Sequence, residues 1–177
     1  MENPNASIKK LMINYGILLG VISVLINVIA YATDTHLQPH WSAQLIGFLI
    51  FVSIVVIAHK AFKKENDGYM KLAQALKIGL GIALISVLIG IAYTYLLMNV
   101  IEPTYMDQVI EIQQQAMIES NPEMSQEQID MSMEISKKFS GTGVVIAYQL
   151  IAALFFGFII SLISGIILKK EKSYENA

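Results

Sequence analysis

Four long apolar runs dominate the chain, and they occupy residues 11–32, 43–62, 78–101 and 144–168. None of these runs contains Asp, Glu or Arg in its interior. A bilayer core about 30 Å thick needs about 20 residues of α-helix, and every run reaches that length. A helix that is apolar on all sides has no face to present to water. The pattern therefore predicts an all-α membrane protein with four transmembrane helices.

The overall composition agrees with this prediction and excludes several classes of protein. Hydrophobic residues make up 55% of the 177 residues, charged residues make up 15%, and the mean hydropathy is +0.56, which is too apolar for an ordinary soluble domain. The chain has no Cys, so disulfide and thiolate chemistry are excluded. Arg is absent and the lysines are dispersed, which argues against nucleic-acid binding.

The positions of the lysines predict the orientation of the four helices. Ten of the 12 lysines lie before the first run, from the end of the second run to the start of the third, or after the fourth run: Lys9, Lys10, Lys60, Lys63, Lys64, Lys71, Lys77, Lys169, Lys170 and Lys172. Lys residues in short loops are retained on the cytoplasmic side of a membrane. We therefore expect both termini in the cytoplasm. The first run also resembles a signal peptide that ends at 30–32, but its length favours a retained span.

The segment 102–142 is the one sizeable polar part of the chain, and it has eight acidic residues against two lysines. Apolar residues at helical spacing predict one amphipathic helix along 105–120 and a second that carries Ile129, Met133 and Phe139 on one face. Asn121-Pro122 separates the two helices, and the residues at 125–128 have the spacing of a capping box. We predict a helical hairpin at about 104–140, outside the membrane between helices 3 and 4.

Two further features concern packing. The Asn66-Asp67-Gly68 turn, followed by apolar residues at helical spacing, predicts a short interfacial helix before helix 3. Gly157, Ser161 and Gly165 form a stripe of small residues along the fourth run, which permits close approach of another helix. The stripe predicts packing within the chain, with a homo-oligomer through Gly157, Ser161 and Gly165 as the alternative.

Polar residues inside the four runs suggest a possible pathway but no reaction. Buried ionisable groups mark most transporters and intramembrane enzymes, whereas the runs here offer mainly uncharged side chains, namely Asn14, Asn27, Ser86, Thr94, Tyr148 and Gln149. These residues are the candidate lining of a passive pore. No known catalytic motif is present, so we predict no catalytic residue, no cofactor site and no enzyme.

Metal binding is considered for two sets of side chains and is not predicted for either. Asp34, His36 and His40 are separated by Pro39, and no fourth ligand lies near them in sequence. Thioether ligands select Cu(I), but Met131 and Met133 in the second amphipathic helix point in different directions. Packing, or an adaptable partner surface, explains the methionines more simply.

Several stretches of the chain recur together in a known order: Gly68-Tyr69, the run from Gln74 through Lys77 to Gly79, the Glu102-Pro103 pair, the Met-rich acidic hairpin and the sequence 155–163. In this order and spacing they resemble the bacterial membrane proteins of the domain of unknown function 4199 family. The resemblance covers nearly the whole chain. It implies a four-helix bundle in the bacterial inner membrane, and it implies no known activity or site residue.

These observations lead to one hypothesis and two alternatives for a single membrane domain over residues 1–177. The leading hypothesis is a structural or accessory subunit that contacts the lipid bilayer and uses 102–142 to bind another membrane or periplasmic protein. The first alternative is a passive pore or small-solute transporter, and the second is a metal-responsive membrane sensor.

Overall fold

The structure is a computed structural model, and it describes residues 4–171. These residues form six α-helices and one π-helical turn in the order α1 Pro4–Ala32, α2 Trp41–Glu65, α3 Leu72–Leu96, the π turn Leu97–Ile101, α4 Tyr105–Ser120, α5 Gln126–Lys138 and α6 Thr142–Leu168. No β-strand occurs between residues 4 and 171, where a single isolated backbone pairing joins Met70 to Lys170. The prediction of an all-α chain is therefore confirmed.

Four of the helical segments are long and apolar enough to cross a membrane: Ile8–Ala32, Trp41–Glu65, Leu72–Ile101 and Thr142–Leu168. They contain the four predicted apolar runs, each extended by a few residues at one or both ends. The four predicted spans are confirmed by length and composition. The orientation of the spans in a membrane stays a prediction.

The two ends of the bundle differ in chemistry. At one end, which we call the hairpin end, lie the 33–40 loop, residues 102–104 and the helices α4 and α5. At the other end, which we call the lysine end, the 66–71 loop meets the C-terminus of α6. There the Met70 and Lys170 backbones exchange two hydrogen bonds of 2.9 and 3.0 Å. The Lys170 ammonium also lies 5.5 Å from the centre of the Tyr69 ring.

Small residues determine how the spanning helices pack. α3 lies between α1 and α6 and contacts both along much of its length, while α2 packs against all three. On the α6 side of α3, a Cβ added to Gly79 would overlap Ser161, and one added to Gly157 would lie 2.6 Å from the Ala83 Cβ. Such close approach of two helix backbones is what small residues permit. The predicted stripe on α6 therefore packs against α3 within one chain.

The densest packing lies in the lysine-end half of the bundle. Val55, Ala58, Ile78 and Ile82 are all fully buried there, and they belong to one cluster that includes Phe62. In contrast, the half of α2 nearer the hairpin end, residues 41–53, contains no buried residue. Side chains of α2 are therefore buried in the lysine-end half of the bundle and at least partly exposed in the hairpin-end half.

Two local features differ from the sequence-based expectation. Residues 72–77 are the first turns of α3 and not a separate interfacial helix, because α3 continues from them without a break. At its other end α3 passes into the unpredicted π turn, in which the Glu102 amide donates to the Leu97 carbonyl at 2.8 Å. A π-helical turn contains one residue more than an α-helical turn. This one ends at Ile101, and Glu102 then precedes Pro103, which disfavours α-helical geometry in the residue before it.

Candidate functional site

A cleft of about 430 Å³ lies in the hairpin-end half of the bundle, where α2 has no buried residue. All four spanning helices line the cleft, and its walls include five of the six residues predicted for a pore: Asn27, Ser86, Thr94, Tyr148 and Gln149. The sixth, Asn14, is exposed on α1 nearer the lysine end and does not line the cleft. The helical pattern alone could not reveal this difference, because which residues line the cleft depends on how the four helices pack.

Polar and apolar groups lie at different depths in the cleft. The polar side chains of Asn27, Thr94 and Gln149 line it near the hairpin end, and the Gln149 amide donates to the Thr94 hydroxyl at 2.8 Å. Leu19 and Phe51 line its deeper end, next to the packed core, together with Ser86, whose hydroxyl donates to the Ala83 carbonyl of its own helix at 3.1 Å. The lining contains no Asp, Glu, Lys, Arg or His. The cleft is therefore uncharged, with a polar mouth and a mainly apolar floor.

A polar cluster at the hairpin end joins the α1–α2 loop to the start of α4. His36 Nε2 lies 3.0 Å from Glu102 Oε2, and both side chains are largely buried. Gln108 donates an N–H to Glu102 Oε1 at 2.8 Å. The His36 ring also contacts the rings of Tyr31 and Tyr105, with centroid distances of 4.8 and 6.0 Å. This cluster ties together two parts of the chain that are distant in sequence, 31–36 and 102–108.

Tyr105 has the clearest electrostatic shift outside the spanning helices. Burial raises the pKa of the Tyr105 phenol, and the nearby Glu102 carboxyl raises it further. Both causes disfavour the phenolate, because it would lose hydration and face a second negative charge. Tyr105 therefore stays neutral beyond the pH range in which an exposed tyrosine ionises.

α4 and α5 pack against each other where the sequence predicts the hairpin. Ile110, Ile129 and Met133 form a small core of their own, and Met117 and Met124 pack against it. The predicted capping box is present: the Ser125 hydroxyl accepts from the Gln128 backbone N–H, and the Gln128 side-chain oxygen accepts from the Ser125 backbone N–H. Phe139 was predicted to share the buried face of α5, and this prediction is wrong: the residue follows the end of the helix and is 65% exposed.

A groove of about 720 Å³ runs between α4 and α5. Ile110 and Met133 form its apolar floor, and its other lining residues are Asp107, Glu111, Gln114, Asp130, Glu134 and Lys137. Four carboxylates thus face one ammonium group along the groove. We refer to this feature as the hairpin groove.

His59 is a buried residue whose role the sequence did not reveal. It lies near the end of the second apolar run, and its side chain is fully buried between α2, α3 and α6. Its Nε2 donates to the Ala75 carbonyl at 2.9 Å, and its Nδ1 lies 2.9 Å from the Ser164 hydroxyl. The imidazole therefore connects three helices. Because a Ser–His contact in a packed core has no room for a substrate, we interpret this one as structural.

Side chains that could ligate a metal do not come together among residues 4–171. No group of three or more His, Cys, Asp or Glu side chains in that range could hold a metal ion. His36 pairs with Glu102, whereas His40 contacts the Ser42 hydroxyl at 2.8 Å, so the two histidines have different partners. Met131 is 59% exposed and Met133 is buried, which places them on different faces of α5.

Four membrane-length helices with a polar helix pair between the third and fourth define the class: a small multi-pass helical membrane protein. Comparison with known proteins identifies the group within this class. A family model described as "Protein of unknown function (DUF4199)" matches residues 14–170, and the chain belongs to that family. No curated protein and no solved structure matches the chain.

Proposed function

We propose that this protein is a non-enzymatic accessory subunit of the bacterial inner membrane that binds a basic partner segment through the hairpin groove. The observation that carries the proposal is the arrangement of the groove itself, with an apolar floor between two carboxylate-rich walls. The α4–α5 pair has its own small core, so the groove can keep its shape when a partner binds. A preformed site reduces the entropic cost of association.

The chemistry of the groove favours one kind of occupant. A helix with Lys or Arg on its flanks and apolar residues between them would place charge against Asp107 and Asp130 and bury its apolar face on Ile110. Complementary charge also accelerates encounter and disfavours acidic competitors. We therefore propose that the partner is another membrane or periplasmic protein with an exposed basic, amphipathic segment.

The proposed topology places this groove outside the cytoplasm. Among residues 4–171, nine lysines lie in the parts of the chain that join or flank the spans at the lysine end, and the segment 102–142 has a net charge near −6. Retention of positive loops in the cytoplasm then puts both termini inside and the hairpin outside.

Site-specific photocrosslinking tests the partner. A photoreactive amino acid at Gln114, which lines the groove, is compared with the same substitution at the neighbouring exposed Gln115, which does not. We expect a discrete crosslinked product from position 114 in intact membranes and little or none from position 115. Mass spectrometry of the product should map the crosslink to a segment rich in Lys or Arg.

Charge reversal provides the matched control. The double variant Asp107→Lys, Asp130→Lys changes the groove, whereas Glu119→Lys, Glu123→Lys makes the same charge change on the hairpin outside it. The groove variant should lose the crosslinked product and the control should keep it. Equal yields from the two variants, or a crosslink to an acidic segment, would show that the groove does not select its partner by charge.

Topology is tested separately, and the absence of Cys makes the experiment simple. Ser125→Cys and Lys64→Cys each introduce the only thiol of the chain. A membrane-impermeant maleimide should label position 125 from the periplasmic side and position 64 only after the inner membrane is disrupted. The reverse pattern would overturn the proposed orientation.

A passive pore or small-solute transporter is the second candidate, because five of its six predicted lining residues meet in one cleft. The cleft reaches only part of the way through the bundle, and fully buried side chains such as Val55 and Ile82 fill the space beyond it. A pathway would require those residues to move. Self-association is a separate prediction, and a dimer that used the α6 stripe would have to displace α3.

A further inference from the structure

The cleft at the hairpin end has the dimensions of one half of a bilayer. On each of α1, α3 and α6 its lining extends over nine residues, from 19 to 27, 86 to 94 and 148 to 156. The first and last of nine helical residues lie about 12 Å apart along the axis. One leaflet contributes about 15 Å, half of the roughly 30 Å hydrocarbon thickness. The cleft therefore has nearly the depth of the acyl chains that surround one half of the bundle.

The lining of the cleft changes from polar to apolar with depth, as an acyl chain does from its ester or acid group to its methyl end. Its floor, at Leu19 and Phe51, is mainly apolar, and its mouth offers the Tyr93 hydroxyl and the Gln149 amide. No ionised side chain lines it, so a charged molecule would find no partner inside. At about 430 Å³ it lies within the range of small-molecule binding sites, about 300–1,000 Å³.

We propose that the cleft binds a single acyl chain, with the carbonyl of its ester or acid group beside Tyr93 and Gln149 and its methyl end toward Leu19. The chain makes dispersion contacts with the apolar lining of the cleft, and the Gln149 amide and the Tyr93 hydroxyl hydrogen-bond its polar end. The cleft shares no lining residue with the hairpin groove, so this proposal and the proposed function can be refuted independently of each other.

Two glycines make the proposal testable by filling the cleft. Gly47 and Gly90 line opposite walls, and a Cβ added to either would meet no other atom within 4 Å. Gly47→Leu and Gly90→Phe therefore place bulk in the cleft without a backbone clash. Gly143→Phe is the matched control, because Gly143 also has open space around it and lies on α6 outside the cleft.

The experiment uses the full chain in vesicles of phosphatidylethanolamine and phosphatidylglycerol. One sample contains a trace of phosphatidylethanolamine with a diazirine in one acyl chain, and the other contains a diazirine fatty acid. After irradiation, mass spectrometry compares labelling of the cleft residues Val87 and Ala152 with labelling of Leu88 and Ile163, which face outward. Labelling by the first probe identifies a phospholipid chain as the occupant, and labelling by the second alone identifies a free fatty acid.

The cleft residues should be labelled at least as strongly as the outward-facing ones in the wild type and in Gly143→Phe. In Gly47→Leu and Gly90→Phe, labelling of the cleft should fall by about tenfold, because the new side chain occupies the volume of the ligand. Labelling of Leu88 and Ile163 should stay constant, which shows that the variants are folded and inserted. Unchanged cleft labelling in both filled variants, or no cleft labelling by either probe, would overturn the proposal.

Discussion

Gly79 and Gly90 lie on the same helix, and the structure predicts opposite effects when each is replaced by Ala. A Cβ on Gly79 would overlap the Ser161 hydroxyl and lie 2.7 Å from the Ser161 Cβ, whereas a Cβ on Gly90 would meet nothing within 4 Å. Ordinary carbon–carbon contact begins near 3.4 Å. Gly79→Ala therefore requires α3 and α6 to separate by several tenths of an ångström, or Ser161 to move within a packed interface.

The magnitudes decide the sign of each effect. Overpacking of a well-packed core destabilises it by about 1–3 kcal/mol, whereas replacing Gly by Ala within a helix stabilises the helix by at most about 1 kcal/mol. Gly79→Ala should lower the free energy of unfolding by about 1–2 kcal/mol on balance of these two terms. Gly90→Ala has only the favourable term, so it should be neutral or should raise that free energy slightly.

Thermal unfolding in detergent, followed by helical circular dichroism, measures the comparison. The double variant Gly79→Ala, Ser161→Gly exchanges the small and large positions and restores the space. Its loss of unfolding free energy should be smaller than the sum of the losses in the two single variants by about 1 kcal/mol or more, as expected for residues in direct contact. The reasoning is refuted if Gly79→Ala and Gly90→Ala shift the midpoint equally, or if the double variant shows no coupling.

Three further predictions concern other parts of the molecule. His59→Ala should lower the free energy of unfolding by about 2–4 kcal/mol, since it leaves a cavity and removes the hydrogen bonds of the imidazole to Ala75 and Ser164; a loss no larger than that of an exposed substitution would contradict the structural role. Burial, and then the Glu102 carboxyl, raises the pKa of Tyr105 in the folded state. The neutral phenol therefore stabilises the fold fully below the pKa of the unfolded chain, about 10, and this stabilisation is lost as pH rises through the higher pKa of the folded state. Thermal midpoints measured across this range should fall more steeply for the wild type than for Tyr105→Phe. Ser125→Ala should destabilise α5 by about 1 kcal/mol through loss of its N-cap, seen as faster amide hydrogen exchange in its first turn with no change in the spanning helices.

The sequence predicted most of the polar residues that line the cleft, but it did not predict that they lie together. Asn27, Ser86 and Gln149 were identified because polar side chains are rare in an apolar run, and they line one cleft. Asn14 met the same criterion and lies elsewhere. Rarity of a polar residue indicates that it has a partner or a role, but which side of the helix faces the cleft depends on how the four helices pack.

The polar contacts between distant parts of the chain were not predictable. His36 and Glu102 are 66 residues apart, and His59 and Ser164 are 105 apart. Each single residue had an ordinary local interpretation, as a loop or interface residue. Only the close packing of α2, α3 and α6 makes His59 the link between three helices.

The sequence alone determined the elements of this protein. A bilayer requires about 20 apolar residues per helix, and a capping box or an Asn-Pro break acts within a few neighbouring residues. These requirements are local, so the four spans, the cap at Ser125 and the end of α4 followed from the chain itself. Tertiary structure decided which small residues meet: Gly79, Gly157 and Gly165 join the helices in the lysine-end half, while Gly47 and Gly90 face open space. All five are glycines in apolar helices, and only the distance to the next helix distinguishes a packing contact from the wall of a cleft.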